Sequence, residues 1–291
     1  MRHPKTIGIL RPRRLLLLSS LFLLSGCRME KSFIFFPEKE IVATPSDAGL
    51  SFEDLTITAS DGVKINGWWI PFPASRTTLL WFHGNAGNLS GRVDSLSRLH
   101  RKVQVNILMI DYREYGRSEG TVSELGTYLD AMAAYDTLLA RNDIDPQKIV
   151  AFGQSLGAAV ATELALRRDL QGLILEAPFA SIREMARVVF PYLPIGRFLS
   201  TRYDILSKIG KIKTPLLVLH GDQDEIIPYS QGRRVFEAAP EPKTFYTIPG
   251  ARHNDTSIVG GKEYYETIAR FINHLPDSIK TSPSPRLDLR R

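Results

Sequence analysis

Apolar residues along this chain gather into short unbroken runs: Thr78-Leu79-Leu80-Trp81-Phe82, Val105-Asn106-Ile107-Leu108-Met109-Ile110, Ile149-Val150-Ala151-Phe152, Leu173-Ile174-Leu175-Glu176 and Leu216-Leu217-Val218-Leu219. Runs of this length with no polar alternation predict strands buried on both faces. A later strand, Lys243-Thr244-Phe245-Tyr246-Thr247-Ile248, is less uniformly apolar. Near the start, Leu55–Thr58 and Val63–Ile70 flank Asp61-Gly62, which predicts an antiparallel hairpin with a two-residue loop. Thr121 and Glu124 have capping-box spacing. The helix they open should bury Leu125, Leu129, Met132, Ala133 and Leu139 and end near Asn142, ahead of Pro146. Strands alternating with amphipathic helices indicate an α/β fold: a mostly parallel sheet with helices on both faces. The chain has 291 residues, and 43% of them are hydrophobic. That supports one large core, and the chemistry below is spread along the whole length, which favours a single domain over residues 51–275.

The charge is uneven. The net value is +6, but residues 1–26 carry Arg2, Lys5, Arg11, Arg13 and Arg14 and no acid, leaving 32 basic against 31 acidic residues beyond them. The folded part is therefore close to neutral and offers no basic stripe for nucleic acid. After the basic start comes Leu15–Leu24, ten residues long, well short of the ~20 needed for a comfortable span. This is the form of a secretory signal. Leu24-Ser25-Gly26-Cys27 follows, and Cys27 is the chain's only cysteine. It cannot form an internal disulfide. Residues 27–50, with Pro37, Pro45 and Asp47, read as a tether and approach to the domain; residues 276–291 read as a disordered tail.

The chemistry centres on Gly153-Gln154-Ser155-Leu156-Gly157. A strand before it and a small-residue helix start after it, Ala158–Ala161, fit a nucleophile elbow, with Ser155 lifted above the sheet edge. A serine needs a base, and the base needs an orienting acid. His220-Gly221-Asp222-Gln223-Asp224 follows one late strand and Pro249–Asp255, containing His253, follows the next. The order serine, acid, histidine results. Asp224 is preferred as the acid by its position in the loop, with Asp222 left as a turn residue. His220, at a strand end, reads as structural. Donors for an oxyanion should come from the N–H of Leu156 and from the glycine-containing loop His83–Asn88, at Asn85. That loop is not a phosphate loop, because no Gly-Lys-Ser/Thr follows. No metal-ligand cluster stands out, and no cofactor is implied.

Taken together, His83–Asn88, Asp111–Gly120, the elbow, the Asp224 loop and the His253 loop resemble the α/β-hydrolase superfamily, over about residues 35–275. The resemblance extends to the small-cap branch that includes protein depalmitoylases, whose opening is similar to Phe35–Glu40 here. Glu114 stands where that branch usually has glycine, which should alter loop chemistry and not the triad. The resemblance implies a cap between the strand ending at Glu176 and the one after Thr214, about residues 178–212, rich in Phe179, Met185, Phe190, Tyr192, Leu193, Phe198 and Tyr203. A lid over an acyl pocket and a pair of packed helices both fit that composition. Leu24–Cys27 resembles the bacterial lipobox, which implies lipidation at Cys27 and anchoring in a membrane, facing the periplasm or the cell surface.

The expected function is therefore a serine hydrolase of carboxylic esters or thioesters: Ser155, His253 and Asp224 catalytic, Asn85 and Leu156 at the oxyanion, Cys27 lipidated. The substrate would be a small-molecule or lipid acyl ester. An exopeptidase or amidase on the same triad and a non-catalytic envelope binding protein are the alternatives.

Overall fold

A computed structural model describes residues 30–276 apart from 194, so the leader, Cys27 and the tail beyond 276 lie outside the described residues. The chain opens with a helical turn at 30–34 (α1) and a short strand β1 (Phe36–Pro37). The main sheet follows: β2 (Glu53–Thr58), β3 (Lys64–Ile70), β4 (Thr78–Phe82), β6 (Asn106–Ile110), β7 (Ile149–Gln154), β8 (Gly172–Glu176), β9 (Leu216–Gly221) and β10 (Lys243–Ile248). These eight strands lie in the order β10-β9-β8-β7-β4-β6-β3-β2. β2 pairs antiparallel with β3, and β3 with β6; from β6 to β10 every pairing is parallel. β1 instead pairs with β5 (Ala86–Gly87) in a separate two-stranded ribbon.

The unbroken apolar runs have a direct cause. Successive side chains of a strand point to opposite faces, and here both faces are covered. Leu80 and Phe82 of β4 join Leu108 and Ile110 of β6 under α3 (Glu124–Leu139) and α4 (Leu156–Arg167). Leu79 and Trp81 join Ile107 and Met109 on the other face, under α2 (Val93–Val103) and α9 (Gly261–Asn273). Each fully buried Leu or Phe contributes about 1.5–3 kcal/mol to folding.

Three expectations need correction. The hairpin loop has three residues, Ser60–Gly62: Ala59 and Val63 still pair, and Gly62 takes φ +85°. A type I turn closed by a left-handed residue needs that extra position. Helix α3 is capped by Ser123, whose Oγ accepts Gly126 N–H at 3.0 Å, and not by Thr121. Its buried face is also rotated, leaving Leu125 and Leu139 exposed while Tyr128, Asp130, Ala131 and Tyr135 are buried with Met132. Two polar recruitments explain this. Arg113 holds Asp130 at 2.8 Å and Asp61 at 2.7 Å, drawing α3 onto the hairpin turn. Glu124 leaves the capping role to accept Tyr203 N–H at 2.9 Å and Tyr128 O–H at 2.8 Å. Glu114 sits at φ +73° and its Oε2 accepts Val122 N–H at 2.7 Å, so the departure from glycine changes this loop.

Residues 30–50 are packed onto the domain. Phe35 is buried, its ring edge-on to Tyr203 at 6.1 Å. The segment between β8 and β9 holds α5 (Ile182–Val189), a 3-10 turn (Ile195–Arg197) and α6 (Leu206–Ile209). α7 (Tyr229–Ala238) and α8 (Thr256–Val259) complete the elements.

Candidate active site

Strand β7 ends at Gln154 and α4 begins at Leu156, so one residue makes the whole reversal. That residue, Ser155, has φ 54° and ψ −114°. A positive φ with this ψ is sparsely populated and costs an L-residue about 1–3 kcal/mol. It is held by Ser155 N–H donating to Glu176 O at 2.9 Å and by Ala158 N–H donating to Ser155 O at 3.0 Å. The tight packing explains the flanking glycines. A Cβ on Gly153 would meet Gly157 O at 2.2 Å, and one on Gly157 would meet Phe82 O at 2.0 Å.

The structure brings Ser155, His253 and Asp224 into one hydrogen-bonded line. Ser155 Oγ lies 3.1 Å from His253 Nε2, and His253 Nδ1 lies 2.8 Å from Asp224 Oδ2. A carboxylate only accepts, so Nδ1 carries the imidazole proton and Nε2 is left to accept from the serine hydroxyl. The Asp224 side chain is sealed from solvent. Burial opposes its ionisation, but hydrogen bonds from His220 and His253, the charge of His253 and the Ile227 N–H outweigh it, and its pKa lies well below the carboxylate range. Oδ1 accepts the N–H groups of Ile226 at 2.9 Å and Ile227 at 2.7 Å.

The loop after β4 lies against the elbow. A Cβ on Gly84 would come 3.6 Å from that of Ser155. The loop is braced from behind: Asn85 O accepts from Phe36 N at 2.9 Å and Tyr115 Oη at 2.7 Å, and Tyr112 Oη donates to His83 O at 2.9 Å. His83 is fully buried, with Nδ1 2.6 Å from Gly84 O and Nε2 3.2 Å from Asp111; burial pushes its pKa down. Leu156 is the first residue of α4, where helix N–H groups lack intrahelical acceptors. Leu156 adjoins Ser155 in the chain, and Asn85 follows Gly84, the loop residue that packs on Ser155.

Several residues at this site were not singled out for it by sequence reasoning. His220 touches the acid: its Nε2 lies 3.2 Å from Asp224 Oδ2 and 3.0 Å from Ile227 O. Asp222, read as a turn residue, accepts Gly250 N–H at 2.8 Å and so braces the His253 loop. Glu225 accepts His253 N–H at 3.3 Å. Glu176 is buried at the end of β8, accepting from Gln154 Nε2 at 3.2 Å, Tyr264 Oη at 2.5 Å and Thr256 Oγ1. Burial raises its pKa against these donors and the nearby His253. A signal was available: Glu176 is the one acidic residue closing an otherwise apolar strand, Gly172–Glu176.

An open groove of about 700 Å³ lies elsewhere, lined by Phe35, Glu124, Tyr128 and Lys208 among others, and none of the three relay residues borders it. Among the described residues no group of His, Cys, Asp and Glu is arranged to hold a metal ion.

Comparison with known proteins fits this architecture. A family model described as "Serine aminopeptidase, S33" (Hydrolase_4) matches residues 73–204 and 195–256. The α/β hydrolase domain-containing protein WAV2 of Arabidopsis thaliana is 36% identical over 254 residues, covering 80% of this chain and 82% of that protein. Protein bem46 of Schizosaccharomyces pombe is 34% identical over 259 residues, covering 84% and 86%. Among solved structures, the Pyrococcus furiosus esterase Pf2001 superposes with a TM-score of 0.70 at 23% identity, covering 82% of this chain and 99% of that one. An acetyl xylan esterase from Paenibacillus sp. R4 gives a TM-score of 0.64 at 20% identity, covering 88% and 94%. With the sheet order, the elbow and these matches agreeing, the chain belongs to the Hydrolase_4 family of α/β hydrolases.

Proposed function

We propose that this protein is a serine hydrolase that cleaves carboxylic esters or thioesters through an acyl-enzyme, and that it works at the cell envelope, held there through Cys27. The observation that carries the chemistry is the line Ser155–His253–Asp224 at 3.1 and 2.8 Å. His253 Nε2 takes the hydroxyl proton as Ser155 Oγ attacks the acyl carbon. The oxyanion is met by the N–H groups of Leu156 and Asn85, each such donor typically worth about 3–4 kcal/mol. The tetrahedral species collapses, His253 returns the proton to the departing alcohol or thiol, and water repeats the sequence to release the acid.

The family description names an aminopeptidase, and amide hydrolysis on the same residues is the alternative. A free amino terminus needs an acidic grip. Asp224 and Glu176 are buried and fully engaged, so Glu225 beside His253 is the exposed carboxylate that reading must use. Fluorophosphonate labelling tests the nucleophile: wild type should form an adduct and Ser155→Ala none. Labelling that survives the substitution refutes the assignment. Comparing p-nitrophenyl esters with aminoacyl p-nitroanilides separates the two bonds, and faster anilide cleavage would favour the peptidase. No helix among the described residues is long and apolar enough to cross a membrane. Attachment then rests on the leader and Cys27. Cys27→Ser should lose incorporated fatty acid, and retained label would reject the site.

A further inference from the structure

Exposed large apolar side chains concentrate on the segment between β8 and β9. Val188, Val189, Tyr192, Leu193 and Phe198 all stand in solvent, Tyr192 at 95% and Phe198 at 83% of full exposure. Phe33, in α1, is exposed at 68%. The two stretches are tied together. The buried carboxylate of Glu30 accepts Ser200 N–H at 3.0 Å, Ser200 Oγ–H at 2.8 Å and Thr201 N–H at 2.6 Å. Phe33 is three residues from one side of that link and Phe198 two residues from the other.

The same segment holds the positive charge of the folded part. Residues 178–212 carry six basic against two acidic residues, while residues 27–291 as a whole carry 32 against 31. Apolar side chains accompanied by Arg and Lys are the composition of a surface that settles into the headgroup region of a bilayer, and each basic residue near an anionic leaflet adds to the attraction. A second copy of the chain would have to bring a net charge of +4 against +4 (six basic less two acidic residues on each), which disfavours self-association through this face.

The leader fixes where that bilayer must be. Cys27 is three residues from Glu30, and Leu24, the last residue of the apolar run, is six. An extended chain spans at most ~3.6 Å per residue, so the attachment lies within about 11 Å of Glu30 if Cys27 is lipidated, or about 22 Å if the apolar run itself is the anchor. Because Glu30 is pinned to Ser200 and Thr201, either form of anchor would hold that end of the segment within the same reach of the membrane.

We infer that the cap docks on the anionic membrane surface that holds the N-terminus, with Tyr192, Leu193, Phe198 and Phe33 at headgroup depth. The cap springs from Pro178, directly after β8, whose neighbour β7 carries Ser155 at the same sheet edge. The site therefore draws its acyl groups from the bilayer surface. This rests on the membrane attachment proposed above.

The test uses the full chain in vesicles of phosphatidylcholine and phosphatidylglycerol at 3:1. Trp68, Trp69 and Trp81 are buried and give a constant background. Phe198→Trp is the reporter and Leu139→Trp, exposed at the far end of α3, is the control. With phosphatidylcholine brominated on its acyl chains, the reporter should be quenched at least twofold more than the control, and more strongly with phosphatidylglycerol than without. Equal quenching overturns the docking alone; failure of the chain to partition with vesicles overturns the attachment and the docking together. In a second arm, the triple variant Tyr192→Ser, Leu193→Ser, Phe198→Ser should cleave a dissolved short-chain ester within twofold of wild type. On a long-chain ester held in the vesicles it should be at least tenfold slower. Equal loss on both esters would assign these side chains to the pocket, and a dimer abolished by the triple variant would assign them to a second copy; either result refutes the inference. The quenching arm reads the docking even if the ester chemistry fails.

Discussion

Replacing Asp224 with asparagine should cut turnover sharply while leaving the fold intact, and the structure sets the size of the loss. Asp224 receives two donors on each oxygen: Ile226 and Ile227 N–H on Oδ1, His253 Nδ1 and His220 Nε2 on Oδ2. Asparagine has one acceptor oxygen, so it must choose. With the oxygen toward His253, its NH₂ faces two backbone N–H groups that cannot change tautomer, at about 1–3 kcal/mol for each unmet donor. With the oxygen toward the backbone, its NH₂ faces two imidazoles. His220 keeps Ile227 O as acceptor, and His253 can move its proton to Nε2. The second arrangement is therefore favoured by roughly 2–6 kcal/mol. In it, Nε2–H points at Ser155 Oγ and cannot accept its proton.

The productive arrangement is then populated at about one part in 30 to one part in 10⁴, and kcat should fall by about 30-fold to 10⁴-fold, the upper end matching the loss expected for a wrong tautomer. KM should change little, because Asp224 is sealed away from any substrate. The assay is steady-state and burst-phase hydrolysis of a p-nitrophenyl ester, with thermal unfolding as the fold control. A kcat within tenfold of wild type in a folded variant would refute Asp224 as the orienting acid. Stability carries a second signature. Asp224 has a folded pKa below its unfolded value, so its stabilisation is fully present above about pH 4 and is lost as pH falls toward the folded value. The Tm gap between wild type and variant should be full at pH 7 and narrow below pH 4.

Ser155→Gly should abolish turnover yet raise Tm by about 2–4 °C, since relief of the φ 54° strain exceeds the added chain entropy by about 1 kcal/mol; a lower Tm by calorimetry would mean the elbow is unstrained. Gly157→Ala puts a Cβ 2.0 Å from Phe82 O, an overpacking of about 2–3 kcal/mol that should lower Tm by at least about 4 °C, so an unchanged Tm would show that β4 and α4 can part freely. Glu176→Gln should match wild type in urea midpoint near pH 4 and exceed it at pH 7. The native pKa is raised, so the wild type loses stability as pH rises from the unfolded value toward the folded one. A variant that falls further behind as pH rises would refute the upward shift.

The strands were legible because burial on both faces leaves no polar alternation, and Leu79 through Phe82 divide between two cores as the run implies. The elbow was legible because part of its steric demand is local: a Cβ on Gly153 would meet the backbone of Gly157, while Gly157 in turn lies against Phe82 of β4. What escaped was set by partners distant in sequence. Asp130 is buried because Arg113, 17 residues earlier, reaches it, and no helical period encodes that. Glu124 gives up its capping role to Tyr203, 79 residues away. His220 reads as a strand-end residue until the chain turns Asp224 back onto it.

Glu176 shows why the sequence order of a triad is not the whole site. In the sheet, β8 and β9 separate the elbow on β7 from the histidine loop after β10. Glu176, at the end of β8, spans that gap. It takes Gln154 from the elbow side, and Thr256 and Tyr264 from the elements that follow His253. Two buried carboxylates thus stand near one imidazole, and their surroundings split them. Asp224 meets two backbone N–H groups and two imidazoles, and stays ionised. Glu176 meets a carboxamide and two hydroxyls with no cation in contact, and burial drives it toward the neutral form. The split serves the chemistry. In the proposed mechanism an imidazolium holds the serine proton briefly and then gives it to the leaving group. One negative partner stabilises that state; a second, fixed charge would hold the proton back. Glu176, whose burial resists ionisation, ties the elbow side to the elements after His253 through its hydrogen bonds, while Asp224 supplies the negative partner of the imidazole.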